Sequence, residues 1–288
     1  MKGKVAKGAS AGGVVLVADD YGLSPGVDRA IRSLIEGRKL TGAGCMTLFP
    51  EWAEEARLLK NLPESRDTAV GLHLTLTDFE PLSGRGPLGA GRMPDLKRLI
   101  RACYLGALDR AGLEGELDAQ LQAFIDAMGR FPDYIDGHQH VHFLGPVRRW
   151  LKKRLPRLAA YQSIPWLRGA PAPSLVAGVK LRAKVSFVAF LARGFDREMR
   201  QAGYDVKGPL AGFYDWGNPG AFPAYLRELA GRRREGMVVM CHPGEADDVL
   251  RRRDRLVAAR EVEFAELSHF DGWTLAVDTR LKEPPNEL

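Results

Sequence analysis

The sequence predicts an α/β fold, a closed or nearly closed β/α barrel of the TIM-barrel type formed by a single domain, and three observations support this prediction. The chain has 288 residues, a length that suits one large α/β domain. Residues 14–18 form a continuous apolar, β-branched run of the kind that is buried on both faces of a parallel sheet. Strand-like and helix-like segments then alternate, as in parallel β/α units, although a doubly wound open sheet remains an alternative.

The predicted elements follow this alternation in order. Ser24 and Pro25 supply an N-cap and a first-turn proline, so a helix is expected to start there and to end at Gly37. Strands are predicted at 14–18, 41–48, 68–77, 133–142, 158–164, 237–241 and 273–277, and helices at 25–35, 51–60, 95–108, 115–128, 146–155, 174–202 and 248–267. A Gly- and Pro-rich segment at 78–94 is predicted to be a loop over the site. Residues 1–13 are expected to form a flexible N-terminal extension and residues 14–288 the barrel domain.

Composition excludes several classes of function. Lys and Arg number 42 against 36 Asp and Glu, but the basic runs are not interleaved with aromatic residues, so no nucleic acid is expected as a partner. Cys45, Cys103 and Cys241 form no C-x-x-C pair, which favours a reducing compartment over a disulfide framework. The first apolar run is too short for a signal peptide, and no stretch approaches the length of a transmembrane helix. A cytoplasmic location is therefore expected.

A pair of carboxylates lies at the end of the first predicted strand. Asp19 and Asp20 directly follow residues 14–18, and adjacent residues of a strand point in different directions. One carboxylate can then bind a metal ion while its neighbour stays free as a base. The alternative is that one of them caps the next helix through backbone N–H groups.

Five of the six histidines lie on or just after predicted strands. His73 lies in GLHLTLT, and alone it would be an interior residue with hydrogen-bonded ring nitrogens. His138, His140 and His142 alternate in DGHQHVH and would share one face of an extended strand. Three histidines on one face have little structural purpose, because each buried imidazole needs partners, so this segment predicts metal binding or catalysis. The spacing does not require all three to be ligands.

His242 follows the last of the buried apolar runs and precedes Pro243 and Gly244, where it is either a catalytic residue or part of a turn. His269 is expected to lie at a helix C-terminus, where it interacts with the helix dipole. One carboxylate and two histidines from different strands would form an open metal site. The same ligand set binds Fe(II) in oxygenases and Zn²⁺ in hydrolases, and the additional carboxylate favours hydrolysis because an attacking water needs a general base.

Four segments in order, ADDYGLS, GLHLTLT, DGHQHVH and MCHPGE, resemble those of the YdjC-like carbohydrate deacetylases. That family includes chitooligosaccharide deacetylases and hopanoid-pathway deacetylases. The resemblance runs from about Val14 to Val277, and the sequence departs from the family pattern at Tyr21, where the family has Phe, and at Gln139. The resemblance implies a distorted β/α barrel that removes acetyl groups from N-acetylglucosamine-type units.

The resemblance also assigns roles to residues. It implies that Asp20, His73 and His138 bind a divalent metal ion, either Mg²⁺ or Zn²⁺, that Asp19 is the general base and that His242 is a candidate general acid.

The other two histidines of DGHQHVH, His140 and His142, are expected to contact the substrate. That substrate is expected to be an N-acetylated amino sugar, either a chitooligosaccharide or a lipid-linked glycan. Three alternatives remain: another metal-dependent hydrolase on the same fold, an Fe(II) oxygenase, and a non-catalytic protein that binds a sugar or a metal.

Two further partners stay open. Residues 179–200 interleave apolar and basic side chains, so this segment is either a barrel helix that packs on the sheet or a helix that transiently contacts an anionic membrane. A homodimer is the other possibility.

Overall fold

Eight parallel strands form one curved sheet in the computed structural model, which describes residues 13–161, 163–232, 234, 236–272 and 275. The spatial order is β8-β7-β6-β3-β2-β1-β10-β9, and a separate antiparallel hairpin pairs β4 with β5. The strands are β1 (Val15–Tyr21), β2 (Gly42–Cys45), β3 (Ala69–Leu74), β4 (Arg85–Gly86), β5 (Gly89–Ala90), β6 (Tyr134–Gly137), β7 (Trp166–Arg168), β8 (Val206–Lys207), β9 (Leu210–Ala211) and β10 (Val238–Cys241).

Helices follow most strands of the sheet. They are α1 (Pro25–Glu36), α2 (Trp52–Lys60), α3 (Leu96–Leu105), α4 (Arg110–Met128), α5 (Gly145–Ala160), α6 (Val179–Leu191), α7 (Phe195–Ala202), α8 (Phe222–Gly231), α9 (Asp248–Arg253) and α10 (Val257–His269). Short 3₁₀ helices cover Pro63–Asp67, His138–Phe143, Pro173–Leu175 and Pro219–Ala221. None of the helices in the described part of the chain has both the length and the apolar character needed to cross a bilayer.

The barrel closes through a loop rather than through a pair of full strands. Gly169 N–H donates to Lys207 O (2.7 Å), and Leu210 N–H donates to Ala170 O (3.0 Å). Ala172 N–H then donates to Leu210 O (3.4 Å). The segment after β7 thus bonds to both β8 and β9, the two ends of the sheet. The predicted fold, a distorted and nearly closed β/α barrel, is confirmed.

The barrel interior is apolar below the carboxyl ends of the strands. Residues from five strands form one buried cluster: Val15, Val17, Ala69, Tyr134, Trp166 and Val238. The Tyr134 ring stacks on Trp166 with centroids 4.4 Å apart. Tyr134 also fills the space beside Gly71, where an added Cβ would lie 2.4 Å from the ring carbon Cζ. The lower barrel is a packed core and not a channel.

Several predicted boundaries were confirmed. Ser24 caps α1 through Oγ, which accepts from Val27 N–H (3.3 Å), Pro25 occupies the first turn, and the helix ends before Gly37. The predicted strand at 158–164 is wrong, because α5 continues through Ala160 and β7 starts only at Trp166.

Other predicted elements are shorter than expected. The predicted helix at 174–202 divides into α6 and α7 at Gly194, which has a φ of 75°. The one at 248–267 divides into α9 and α10. The last predicted strand, 273–277, lies outside the described residues except for Leu275, which forms a parallel bridge with Val14. The proposed division into residues 1–13 and 14–288 stays a prediction.

Candidate active site

A polar layer lies directly above the apolar layer of the barrel interior. Asp19, His73, Asp136 and Arg168 each follow, by two residues, an inward-facing residue of the same strand. Because side chains of a strand alternate between faces, this spacing returns each of them to the interior. All four are 0–2% exposed. The carboxyl ends of β1, β3, β6 and β7 therefore converge on one buried polar cluster.

An irregularity in β1 brings Asp20 to the same cluster as Asp19. The pairing of β1 with β2 shifts register between Ala18 and Tyr21, and Asp20 has a φ of 69°. Aspartate is one of the few residue types that adopt this left-handed conformation with some regularity. Both carboxylates are consequently buried beside the histidines, with exposures of 2% and 1%.

Asp20, His73 and His138 are brought together as a candidate metal centre. Asp20 Oδ1 lies 3.3 Å from His73 Nε2 and 3.0 Å from His138 Nδ1. The three potential ligand atoms lie within 4.8 Å of one another. One carboxylate oxygen and two imidazole nitrogens form a donor set that fits a divalent ion and leaves coordination positions open. The His138 side chain, 19% exposed, gives the centre its contact with solvent.

Neighbouring charges orient the candidate ligands. His73 Nδ1–H donates to Asp136 Oδ1 (2.6 Å), so Nε2 faces Asp20. Arg260 Nη2 donates to Asp20 Oδ2 (2.5 Å), which leaves Oδ1 for the two imidazoles. Arg260 is itself held by Asp254, whose Oδ2 accepts from Nε at 2.6 Å. Such second contacts fix the ring orientation of a metal-binding histidine and increase its basicity.

The electrostatics of the cluster favour a cation. Burial lowers the pKa of His73, but the carboxylates of Asp136 and Asp19 outweigh it and raise the pKa to about 10. Burial raises the pKa of Asp20, whereas Arg260 and His138 together bring it well below its usual range. The carboxylates around His73 thus create a negative potential that stabilises positive charge at this point.

A second group, Asp19, His73 and Asp136, also has ligand atoms close together. Arg168 already neutralises its two carboxylates. Nη1 and Nη2 donate to Asp19 at 2.7 and 2.5 Å, and Nη2 lies 2.5 Å from Asp136 Oδ2. A metal ion bound there would face the fully buried guanidinium, so the group that contains Asp20 is the better candidate.

Asp19 is therefore paired and not free, contrary to the expectation for a base beside a metal ligand. Burial raises its pKa, but the Arg168 guanidinium outweighs burial and lowers the pKa to about 2. The pairing keeps Asp19 ionised and fixes its direction. Asp19 Oδ2 lies 3.9 Å from His242 Nε2, so these two predicted catalytic residues face each other.

His242 is positioned by a buried carboxylate on α10. Its backbone N–H donates to Glu263 Oε2 (2.5 Å), and Tyr214 O–H donates to Glu263 Oε1 (2.8 Å). The Trp216 ring stands nearly perpendicular to the imidazole, with centroids 5.5 Å apart. Burial raises the pKa of Glu263. Glu263 thus fixes the backbone of His242, Trp216 packs against its imidazole, and the side chain is 14% exposed.

The expectation that His138, His140 and His142 share a strand face is wrong. Strand β6 ends at Gly137, and Gln139 and His140 have left-handed φ angles of 50° and 63°, so the alternation of the side chains is lost. Only the first of the three histidines reaches the candidate metal centre.

The other two histidines occupy different environments. His140 packs against Phe213, with ring centroids 5.3 Å apart, and burial lowers its pKa to about 3. His142 is 1% exposed, packs on Phe143 and donates from Nε2 to Arg168 O (3.2 Å). His142 thus supports the strand that carries Arg168, and this position does not favour its predicted contact with substrate.

The predicted loop at 78–94 borders the site at its first residues. Asp78 Oδ2 accepts from Gln139 Nε2 (2.9 Å), and the Phe79 ring lies 6.1 Å from His138. The loop therefore contributes a side wall beside the solvent-exposed ligand.

Sequence reasoning missed four residues of the site: Asp136, Arg168, Arg260 and Glu263. Asp136 had a usable signal, because it precedes His138 by two residues in the same predicted strand. The other three carried none, since β7 was not predicted and the two α10 residues have only ordinary helical spacing.

These features define a β/α-barrel protein with a candidate metal centre of one carboxylate and two imidazoles at the carboxyl ends of its strands. The chain belongs to the family described as YdjC-like protein, whose family model matches residues 13–270. The predicted resemblance is thus confirmed.

Known relatives cover nearly the same length. A carbohydrate deacetylase of Halalkalibacterium halodurans is 27% identical over 261 residues, which span 88% of this chain and 94% of that protein. A chitooligosaccharide deacetylase of Klebsiella pneumoniae is 27% identical over 241 residues, 82% of this chain and 83% of that protein. The crystal structure of a protein from Enterococcus faecalis described as a cellobiose-phosphate cleavage protein has the same fold, with a TM-score of 0.60 and 20% identity over 92% of this chain and 96% of that one.

Proposed function

We propose that this chain is a divalent-metal-dependent deacetylase that hydrolyses the N-acetyl group of an N-acetylglucosamine-type sugar. The observation that carries the proposal is the convergence of Asp20 Oδ1, His73 Nε2 and His138 Nδ1 beside the facing pair Asp19 and His242. The names of the relatives, carbohydrate deacetylase and chitooligosaccharide deacetylase, support the same chemistry.

In this proposal Asp20, His73 and His138 hold the metal ion. A divalent ion at that position supplies a Lewis acid that polarises the amide carbonyl and lowers the pKa of a nearby water. Mg²⁺ and Zn²⁺ are the two candidates, since carboxylate oxygen suits the first and imidazole nitrogen the second.

Asp19 is the proposed general base. Ionised and fixed by the two hydrogen bonds from Arg168, it can accept a proton from water at Oδ2, the oxygen that faces the open side of the cluster near His242. Arg168 thus limits the base to one direction. Its low pKa makes this carboxylate a weak base, and a bound divalent ion would compensate by making the attacking water more acidic.

His242 is the proposed general acid. Its Nε2 lies 3.9 Å from Asp19 Oδ2 and, as a proton donor, would donate to the nitrogen of the departing amine when the C–N bond breaks. The proton that Asp19 takes up and the one that His242 releases balance over the reaction, so the products are acetate and the free amino sugar. The proposed compartment is the cytoplasm, which the free thiols of Cys45, Cys103 and Cys241 support.

Acetate release from N-acetylglucosamine and chitobiose-type substrates, measured during titration with Mg²⁺ and with Zn²⁺, tests this proposal. Asp20→Ala, His73→Ala and His138→Ala are each expected to lower both the metal content and the rate. Asp19→Asn is expected to keep the metal and to lose on the order of 10²-fold in rate.

The matched control is Asp126→Asn, which replaces an exposed carboxylate on α4 that accepts a hydrogen bond from Gln122 Nε2 (2.7 Å). Full metal stoichiometry in all three alanine variants would contradict the ligand assignment. Normal turnover of the Asp19→Asn variant across pH would contradict the assignment of the base. Release of phosphate from sugar phosphates in place of acetate would assign the site to a different hydrolase.

A further inference from the structure

Helix α6 is apolar on two faces, of which only one packs on the barrel. Val185 is fully buried, whereas Val179, Phe187 and Phe190 are 87%, 50% and 59% exposed. At 3.6 residues per turn these three exposed residues lie within about 80° of one another around the helix. The side of α6 that carries Val185 packs against the sheet, whereas the described residues of the chain do not cover the opposite apolar stripe.

Basic residues flank the exposed stripe on both sides. Lys180 lies on one side of it and Arg182 on the other, and neither forms an ion pair with any residue in the described part of the chain. No acidic residue occurs in the sequence between Asp136 and Asp196. The α6 surface, defined as Val179, Lys180, Arg182, Phe187 and Phe190, thus presents an apolar stripe with uncompensated positive charge at its borders.

The same helix lies beside the candidate active site. Lys184 Nζ is 4.6 Å from the centroid of the Trp216 ring, whose edge-on neighbour is His242. At the other end of α6, Leu191 lines a groove with Tyr104, and Tyr104 and Leu105 are both 68% exposed. Exposed apolar side chains thus occur on α6 and at the end of α3, and the groove that Tyr104 and Leu191 line is also lined by Arg110, Arg148 and Arg149.

We propose that the α6 surface docks the protein on an anionic lipid bilayer, with the mouth of the active site close to the membrane. Aromatic side chains enter the interface between headgroups and acyl chains, and the flanking cations bind anionic headgroups. A second copy of the chain fits less well, because a two-fold contact of α6 with α6 would place like charges opposite one another.

The substrate consequence of this docking rests on the proposed function. A deacetylase held at the bilayer would meet an N-acetylated amino sugar that is linked to a lipid, in addition to soluble sugars. The docking itself is independent of catalysis and is measured without substrate.

Vesicle co-sedimentation of the full chain tests the docking. The protein is expected to pellet with phosphatidylglycerol-rich vesicles and to stay in the supernatant with pure phosphatidylcholine vesicles, and added salt should weaken the first interaction. The double variant Phe187→Ser/Phe190→Ser is expected to partition at least ~10-fold more weakly. The double variant Lys180→Gln/Arg182→Gln should bind the phosphatidylglycerol-rich vesicles more weakly, and its binding should depend less on the salt concentration.

Tyr161→Ser is the matched control, since it removes an aromatic ring that is 53% exposed at the C-terminal end of α5, the opposite edge of the barrel. The control should bind like the wild type, and all variants should keep their thermal unfolding temperature. The Phe variant should also keep the rate of acetate release from soluble substrates.

Equal pelleting of the wild type and the Phe variant, or no pelleting of the wild type, would overturn the docking. A wild-type dimer that the Phe variant dissociates in the absence of lipid would assign the surface to a second copy instead. Absence of acetate release from every substrate would overturn the proposed function and leave the docking result unaffected.

Discussion

Replacing Arg168 with Met removes the buried positive charge that lies between Asp19 and Asp136. The guanidinium is fully buried and pairs with Asp19 at 2.7 and 2.5 Å and with Asp136 at 2.5 Å. At an effective dielectric constant of about 20, each ion pair contributes about 4 kcal/mol of gross attraction. Desolvation of the guanidinium offsets part of that sum. We expect the free energy of unfolding to fall by about 3–5 kcal/mol, the usual effect of leaving a buried charge without its partner.

The pH dependence of this loss has a definite sign. Without Arg168 the pKa of Asp19 should rise, because burial then opposes ionisation with less compensation, and the variant loses stabilisation that the ionised carboxylate supplies in the wild type. In the wild type the pKa of Asp19 is about 2, and its stabilising effect is present above the unfolded value of 3.8 and lost as the pH falls towards 2. The difference in the free energy of unfolding between Arg168→Met and the wild type should therefore be largest near neutral pH and should become smaller in acid.

Urea unfolding in the presence of EDTA, at neutral and at mildly acidic pH, measures both effects. The control is Arg57→Met, which breaks an exposed ion pair with Glu54 on α2 and is expected to change stability little. Arg168→Lys keeps the charge without the two-pronged contact and should lie between wild type and Arg168→Met. A loss for Arg168→Met no larger than that for Arg57→Met would refute the reasoning.

Three further predictions concern packing, titration and ligand binding. Gly71→Ala should lower the free energy of unfolding by about 1–3 kcal/mol, because its Cβ would meet the stacked Tyr134 ring, whereas Gly115→Ala, with open space beside it, should be neutral or stabilising in a thermal melt. Burial brings the pKa of His142 well below its usual value of 6.5. The contribution of the neutral imidazole to the free energy of unfolding is therefore present above pH 6.5 and declines below it, by up to ~1.4 kcal/mol per pH unit. Urea unfolding of a His142→Asn variant should lack this part of the pH dependence. A divalent ion at about 100 times its Kd should raise the free energy of unfolding by about 2.7 kcal/mol, and an equal gain in Asp20→Ala would contradict the ligand assignment.

The fold was predictable where a strand is long enough to show its pattern. Residues 15–18 of β1 and all of β10 are continuous apolar runs because both of their faces are buried, and such runs identify parallel strands. β7, β8 and β9 have three, two and two residues, too few for any periodicity. Their places depend on the closure of the barrel, a long-range property that local sequence does not encode.

The site was predictable to the extent that strand register determines it. Asp20, His73 and His138, the ligands that the family resemblance implies, lie at the ends of three strands, and their potential ligand atoms are within 4.8 Å of one another. Arg168 and Arg260 contact the two aspartates across 149 and 240 residues of sequence, and ion pairs at such separations leave no local pattern. The left-handed turn at 139–140 went unpredicted because neither Gln nor His marks that conformation as glycine does.

The 240-residue separation of Asp20 and Arg260 has a consequence for biosynthesis. At about 5–20 residues per second, Arg260 leaves the ribosome roughly 10–50 s after Asp20. Throughout that interval the nascent chain lacks both the cation that neutralises Asp20 Oδ2 and the strand β10 that pairs with β1. Burial of the unpaired carboxylate would be costly, so the acidic pair should stay hydrated on the ribosome. An ion at this site would therefore be expected to bind only after Arg260 has left the ribosome.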